Sequence, residues 1–350
     1  MFIIDKDNLN DLFRKWSKES EVYAPQVEEG QVMLLPYEEE KFTMDYVNFA
    51  FPVKEHLFKQ REILFNWGNK NGSISIETPI NIDTNKSKRI FFGVRPCEVH
   101  GIKYTDKFFL KGYRDEFYAR ARNSALIAAV NCTEPGENCF CSSMGTGPFA
   151  SSGYDLLFTP LKDAYLVEIG TEKGRELIHC VKELFTEIKE ELLHEKEIVE
   201  KSSKNKFKTK INTDNISKVL EESFNSPIWK GLSKDCITCT GCTSLCPTCT
   251  CFNVVEESIG DNCGCRVRYW DSCQSDSFTR NAQKHNPRSS EARVRYRIYD
   301  KFKYIEDKFN MKGCNGCGRC INVCPAAINV VEIINKLSDS KSALESNGGE

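Results

Sequence analysis

The spacing of apolar residues changes character along the chain. Leu9, Leu12, Phe13 and Trp16 recur at helical intervals behind Asp7, which predicts a capped helix ending near Ser17 with one buried face. Beyond it the apolar residues come in short runs. Val32–Leu35, Arg89–Val94, Ala125–Asn131, Leu156–Thr159 and Tyr165–Ile169 are rich in β-branched or aromatic residues and bounded by Gly, Pro, Asn or Asp, the pattern of strands. Helical spacing returns from Gly174 to about Glu200, with Leu177, Val181, Leu184, Ile188 and Leu192 on one side.

Lys201–Lys210 carries one apolar residue among Lys, Ser and Asn and reads as a linker or exposed loop. On this reading residues 1–212 form a mixed α/β domain and residues 213–337 a second, mainly helical domain. Residues 338–350, rich in Ser, Asn and Gly, form a flexible tail. Helices are expected in the second domain from about Asp214 to Phe224, around Trp229, and from Ala326 to Lys336. The class is α+β.

A chain of 350 residues suits two such domains. Its eighteen cysteines change the picture, because Met1–Leu12 carries Asp5, Lys6, Asp7 and Asp11 where a secretory signal needs an apolar stretch. The thiols are therefore expected in a reducing cytoplasm, free for metal rather than paired as disulfides. No window approaches the about 18 apolar residues of a membrane span. Lys plus Arg number 48 against 50 Asp plus Glu, so no basic field is available to hold nucleic acid.

Eight cysteines fall into two copies of C-x2-C-x2-C-x3-C-P: Cys236, Cys239, Cys242 and Cys246-Pro247, then Cys314, Cys317, Cys320 and Cys324-Pro325. Three thiolates on a tight loop hold three corners of a [4Fe-4S] cube, and the fourth, before the proline, reaches to the other cube. The expected ligand sets are Cys236, Cys239, Cys242 and Cys324 for one cluster, and Cys314, Cys317, Cys320 and Cys246 for the other. Zinc knuckles need neither the third cysteine nor the closing Cys-Pro.

Cys97 follows the predicted strand Arg89–Val94, Cys132 ends the strand Ala125–Asn131, and Cys139 and Cys141 lie on the loop beyond. If those strands are neighbours, all four thiols meet at one carboxyl edge and can hold a third [4Fe-4S] cluster; the alternative is four small buried side chains. Cys249, Cys251, Cys263, Cys265 and Cys273 make no complete further set and are expected to pack around the clusters. Cys180 is expected in a helix, as inert core. Gly145–Ala150 matches G-x-G-x-x-A by letter but lacks the preceding strand and following helix of a dinucleotide site. His100 and His285 are expected to be structural, since no catalytic constellation surrounds them. The basic run Arg288, Arg293, Arg295, Arg297, Lys301 and Lys303, interleaved with Tyr296, Tyr299 and Phe302, is expected to pack near the clusters and offer a docking face.

Gly93-Val94-Arg95-Pro96-Cys97, Asn138–Gly145, Cys246–Cys251, Trp270–Cys273, His285–Arg288 and the final cysteine run together resemble the iron-sulfur β subunits of cytoplasmic sulfhydrogenases, which are similar to the dicluster iron-sulfur subunit of anaerobic sulfite reductase. The resemblance implies a subunit passing electrons between a flavoprotein partner that uses NAD(P)H and a catalytic partner, either a NiFe hydrogenase or a sirohaem sulfite reductase. Cys263 and Cys265 lie outside the shared pattern. Two other readings are a catalytic oxidoreductase with its own flavin in the N-terminal domain, and a non-redox metal-binding scaffold.

Overall fold

A computed structural model describes residues 1–79, 88–188, 190–283 and 286–347. Among them twelve strands form: β1 Phe2–Asp5, β2 Glu21–Glu28, β3 Gln31–Pro36, β4 Arg61–Lys70, β5 Ser73–Glu77, β6 Arg89–Val94, β7 Ala125–Val130, β8 Leu156–Pro160, β9 Ala164–Ile169, β10 Thr186–Glu187, β11 Phe252–Gly260 and β12 Cys263–Trp270. Eight make a mixed sheet in the order β10-β1-β9-β8-β7-β6-β2-β3, with β2, β6, β7 and β8 parallel.

The run Ala125–Val130 shows why the centre of this sheet is continuous and apolar. Leu126, Ala128 and Val130 face one core, with Leu9, Leu12, Phe13 and Trp16 of the first helix. Ala125, Ile127 and Ala129 face another, with Val99, Ile102 and Phe109 of the helix Pro96–Leu110. A parallel strand covered by helices on both sides has no polar face to show. The expected strands and the buried face of the first helix are present, although that helix spans Leu9–Trp16 with Asn8, not Asp7, at its cap position.

Several expectations are corrected. The helix foreseen from Gly174 to Glu200 is two: Glu172–His179, whose cap Thr171 accepts a hydrogen bond from Gly174 N at 3.2 Å, and Glu190–Asn205. Between them β10 pairs with the sheet edge at β1, which satisfies backbone groups that a continuous helix would have used internally. Cys180 sits where the first of these helices stops and is exposed, not core. Lys201–Lys210 does not begin as a loop; helix continues to Asn205, Ser203 Oγ donates to Val199 O at 2.6 Å, and Phe207 is buried. The helix expected from Ala326 to Lys336 starts at Val330 and runs to Asn347, through part of the expected tail; 348–350 lie outside the described residues.

The C-terminal segment holds the expected helices, and with them a sheet that its sequence pattern did not announce. Its long strands β11 and β12 form a hairpin that pairs through β12 with β4, giving a second, antiparallel sheet in the order β11-β12-β4-β5. Segments from both expected domains therefore share a sheet. Arg268 of β12 fastens it, buried against the Phe58 ring (5.0 Å from its centroid) and ion-paired with Glu62 and Asp115. Buried ion pairs with two carboxylates fix register more than they add stability.

His56 gives the fold a pH signature. Its ring lies among Tyr23, Phe91 and Arg89, with Nε2 3.1 Å from Leu34 O. Burial first, then the nearby Arg89 charge, hold its pKa down to about 4, against the raising effect of the Leu34 bond. An unfolded histidine titrates near about 6.5, so the unfolded chain takes up a proton that the folded chain refuses. The stability at stake is fully present above that value and is lost as pH falls towards 4. We expect wild type to lose about 2 kcal/mol more than His56→Gln in urea unfolding between pH 7 and pH 5; equal losses would exclude a buried neutral His56.

Candidate metal centres

Two cavities gather the paired cysteine runs. The loop between the helices Ile228–Asp235 and Gly241–Ser244 turns through Thr238 and Thr240, both at positive φ (54° and 63°), and so points Cys236, Cys239 and Cys242 into one of them. Cys324 joins these three in the wall, with Ile237, Pro325, Ile328 and Ile333. The second cavity is lined by Cys314, Cys317, Cys320 and Cys246, with Phe140, Phe302 and Val330. Cys320 stands at the edge of both. Each loop thus meets the last cysteine of the other.

The chemistry of these walls fits a polynuclear iron-sulfur group. Burial pushes the Cys242 thiol up to about 11, Cys317 to about 12 and Cys314 further. Such thiols stay protonated at neutral pH unless a metal replaces the proton. Cations already stand beside them: burial alone would lower the Lys301 pKa, but Cys249, Asp300 and Cys246 outweigh it and hold it raised, with Nζ donating to Thr248 O at 3.0 Å. Ile328 N donates to Cys324 Sγ at 3.3 Å, a contact of the kind that tunes a sulfur ligand. Among the described residues no three His, Cys, Asp or Glu side chains close on a single ion.

A third gathering of thiols lies in the N-terminal half. β6 and β7 are parallel neighbours, so Cys97, in the first turn after β6, and Cys132, just beyond β7, leave one edge of the sheet. Gly93 bends β6 there at φ +86°; a Cβ would stand 2.6 Å from Tyr46 Oη and 2.7 Å from Pro25. Arg95 then locks the edge, its guanidinium 4.1 Å from the Tyr46 ring and donating to Tyr46 O (2.6 Å) and Asn131 O (3.3 Å). Cys97, Cys139 and Cys141 are buried in one cluster with Phe207 and, from the C-terminal run, Cys317. Burial, followed by the nearby Cys132, Cys139 and Cys317, raises the Cys141 pKa.

Residues without a sequence signal hold this junction. Asn48 Nδ2 donates to Cys317 O at 2.9 Å, while its amide lies 3.7 Å from Cys97 Sγ and 3.9 Å from Cys139 Sγ. Asn315 Nδ2 donates to Cys97 O (2.8 Å) and Phe140 N to Gly316 O (2.8 Å). Gly316, at φ +64°, is required: a Cβ would lie 2.5 Å from Cys141 N. Glu98 and Arg319, nearly fully buried, form an ion pair across the same seam.

The remaining candidates separate. Cys249 sits beside Cys246, and Cys251 beside Cys273, close to Lys301. Cys263 and Cys265 lie on β12 in the second sheet, facing neither cavity. His100 is structural, its Nε2 2.8 Å from Lys312 O; His285 lies outside the described residues. Gly145–Ala150 follows the short helix Cys141–Met144 rather than a strand. The basic run is partly inward, with Arg293 and Lys301 buried, while Arg288 and Arg295 stack on Tyr296 and Phe224 at 3.9 and 3.8 Å. It packs more than it displays.

A family model of the 4Fe-4S dicluster domain matches residues 235–328, which include both runs and the β11–β12 hairpin. The chain is 33% identical over 302 residues to sulfhydrogenase 2 subunit beta of Pyrococcus furiosus, covering 86% of each chain. No solved structure matches it.

The buried pair at the seam makes a mutational forecast. Glu98→Gln leaves the Arg319 charge uncompensated and should destabilise the protein by about 3–5 kcal/mol, whereas the double change Glu98→Leu with Arg319→Met should recover much of that loss. Denaturant midpoints of the three variants decide it; a mild Glu98→Gln would mean that Arg319 finds its counter-charge elsewhere.

Proposed function

The chain belongs to the iron-sulfur β-subunit family of sulfhydrogenases, and we propose that it is a non-catalytic electron relay with three [4Fe-4S] sites. The proposed ligands are Cys236, Cys239, Cys242 and Cys324; Cys314, Cys317, Cys320 and Cys246; and Cys97, Cys132, Cys139 and Cys141. Clusters of this type supply one-electron transfer at low potential. The observation that carries the reading is the adjacency of the three thiol sets: Cys320 borders both C-terminal cavities, and Cys317 borders both the second cavity and the N-terminal cysteines.

What the chain's own residues do follows from their burial. Apolar side chains, Phe140, Phe302, Val330 and Phe207 among them, keep water from the inner sites. The loop of Cys236 and Cys239 is more open, with Cys239 and Ile237 exposed, and is where a redox partner would come nearest. The partners we propose are a flavin subunit using NAD(P)H on one side and a catalytic subunit on the other, a NiFe hydrogenase or a sirohaem sulfite reductase. Among the described residues no helix is long and apolar enough to cross a membrane.

Two measurements test this. The full chain, reconstituted anaerobically, should hold about twelve iron and twelve acid-labile sulfide, falling to about eight of each in Cys139→Ser/Cys141→Ser; a double mutant with undiminished iron would remove the N-terminal site. In the assembled complex, Cys317→Ser should abolish NAD(P)H-coupled turnover while each partner keeps its activity with artificial dyes or donors. Full coupled turnover in that variant, or NAD(P)H oxidation by the isolated chain, would reject the relay.

A further inference from the structure

Arg297 stands in the walls of both C-terminal cavities. It lies on the helix Ser290–Tyr299, which continues through a π-helical turn, Asp300–Tyr304, so that Arg293, Arg297 and Lys301 follow one another four residues apart. Its neighbours in that row are each balanced. Arg293 pairs with Asp276 at 3.0 Å and Lys301 with Asp300 at 3.2 Å; at the N-terminal seam Arg319 pairs with Glu98. For Arg297 no carboxylate ion pair is found among the described residues, and its Nε is buried without a hydrogen-bond partner. A guanidinium in that position costs several kcal/mol unless negative charge is supplied. The groups facing it are sulfurs. Cys242 and Cys320 share the first wall with it, and Cys320 and Cys246 the second.

Resting on the reading that both cavities hold [4Fe-4S] clusters, we propose that Arg297 is their shared counter-charge, a positioning residue that sets both reduction potentials at once. Four thiolates leave each site net negative, and each electron received adds one more negative charge. A fixed cation in the common wall favours the reduced state of both sites. Arg297 is absent from the cluster of Cys97, Cys139 and Cys141, so the N-terminal site should not respond to changes at Arg297.

The test uses the full reconstituted chain with Arg297→Gln and Arg297→Lys, iron and sulfide counts, and redox titrations followed by electron paramagnetic resonance. Arg297→Gln should keep its iron while two of the three components titrate at more negative potential; Arg297→Lys, which keeps the charge, should titrate close to wild type. Unchanged potentials at full iron content, or a shift in one component only, would overturn the shared role. If Arg297→Gln loses iron, Arg297→Lys decides. Full iron with wild-type potentials supports the proposal, and loss of iron there, or shifted potentials, assigns Arg297 to packing instead. A wild-type chain that binds no iron and sulfide would be a separate failure, that of the cluster reading.

Discussion

The structure depends on the seating of one cysteine loop against another. The loop of Cys314–Cys320 lies so close to Phe140 and Cys141 that backbone meets backbone, with Phe140 N donating to Gly316 O and no room for a side chain on Gly316. Buried backbone groups must find partners, and here the two halves of the chain supply them to each other. Glu98 and Arg319 close the same seam, each also tied to main chain: Glu98 accepts from Val53 N and Arg319 donates to Phe49 O, both at 2.9 Å. Whatever binds the C-terminal thiols therefore constrains the edge of the main sheet.

Charge explains why so many cations lie inside. Burial makes Cys314 and Cys317 resist ionisation, and a thiolate-ligated group would carry negative charge into a wall of phenylalanine and valine. Arg297 stands in both cavity walls where that charge would fall, while Lys301 and Arg319 nearby are already paired with Asp300 and Glu98.

Much was legible in order and little in arrangement. The continuous apolar run of β7 and the helical face of Leu9–Trp16 announced themselves because burial on two faces or on one stripe imposes a local period. The edge strand β10 was not legible: Thr186 and Glu187 are exposed and pair with β1 only because that edge is open. The same holds for Lys201–Lys210, whose composition reads as loop. A single phenylalanine, Phe207, anchors the end of its helix against three N-terminal cysteines, a contact that no local pattern encodes.

The sequence alone announced the kind of chemistry, because three cysteines spaced around a tight turn are a local pattern suited to an iron-sulfur group. Tertiary structure alone decided adjacency. It set Cys317 beside Cys97, Cys139 and Cys141, put Asn48 among them, and stood Arg297 between two cavities. The partners at the seam are separated by up to 270 residues, as Arg319 and Phe49 are, and at that distance only the packing of one surface on another brings side chains together.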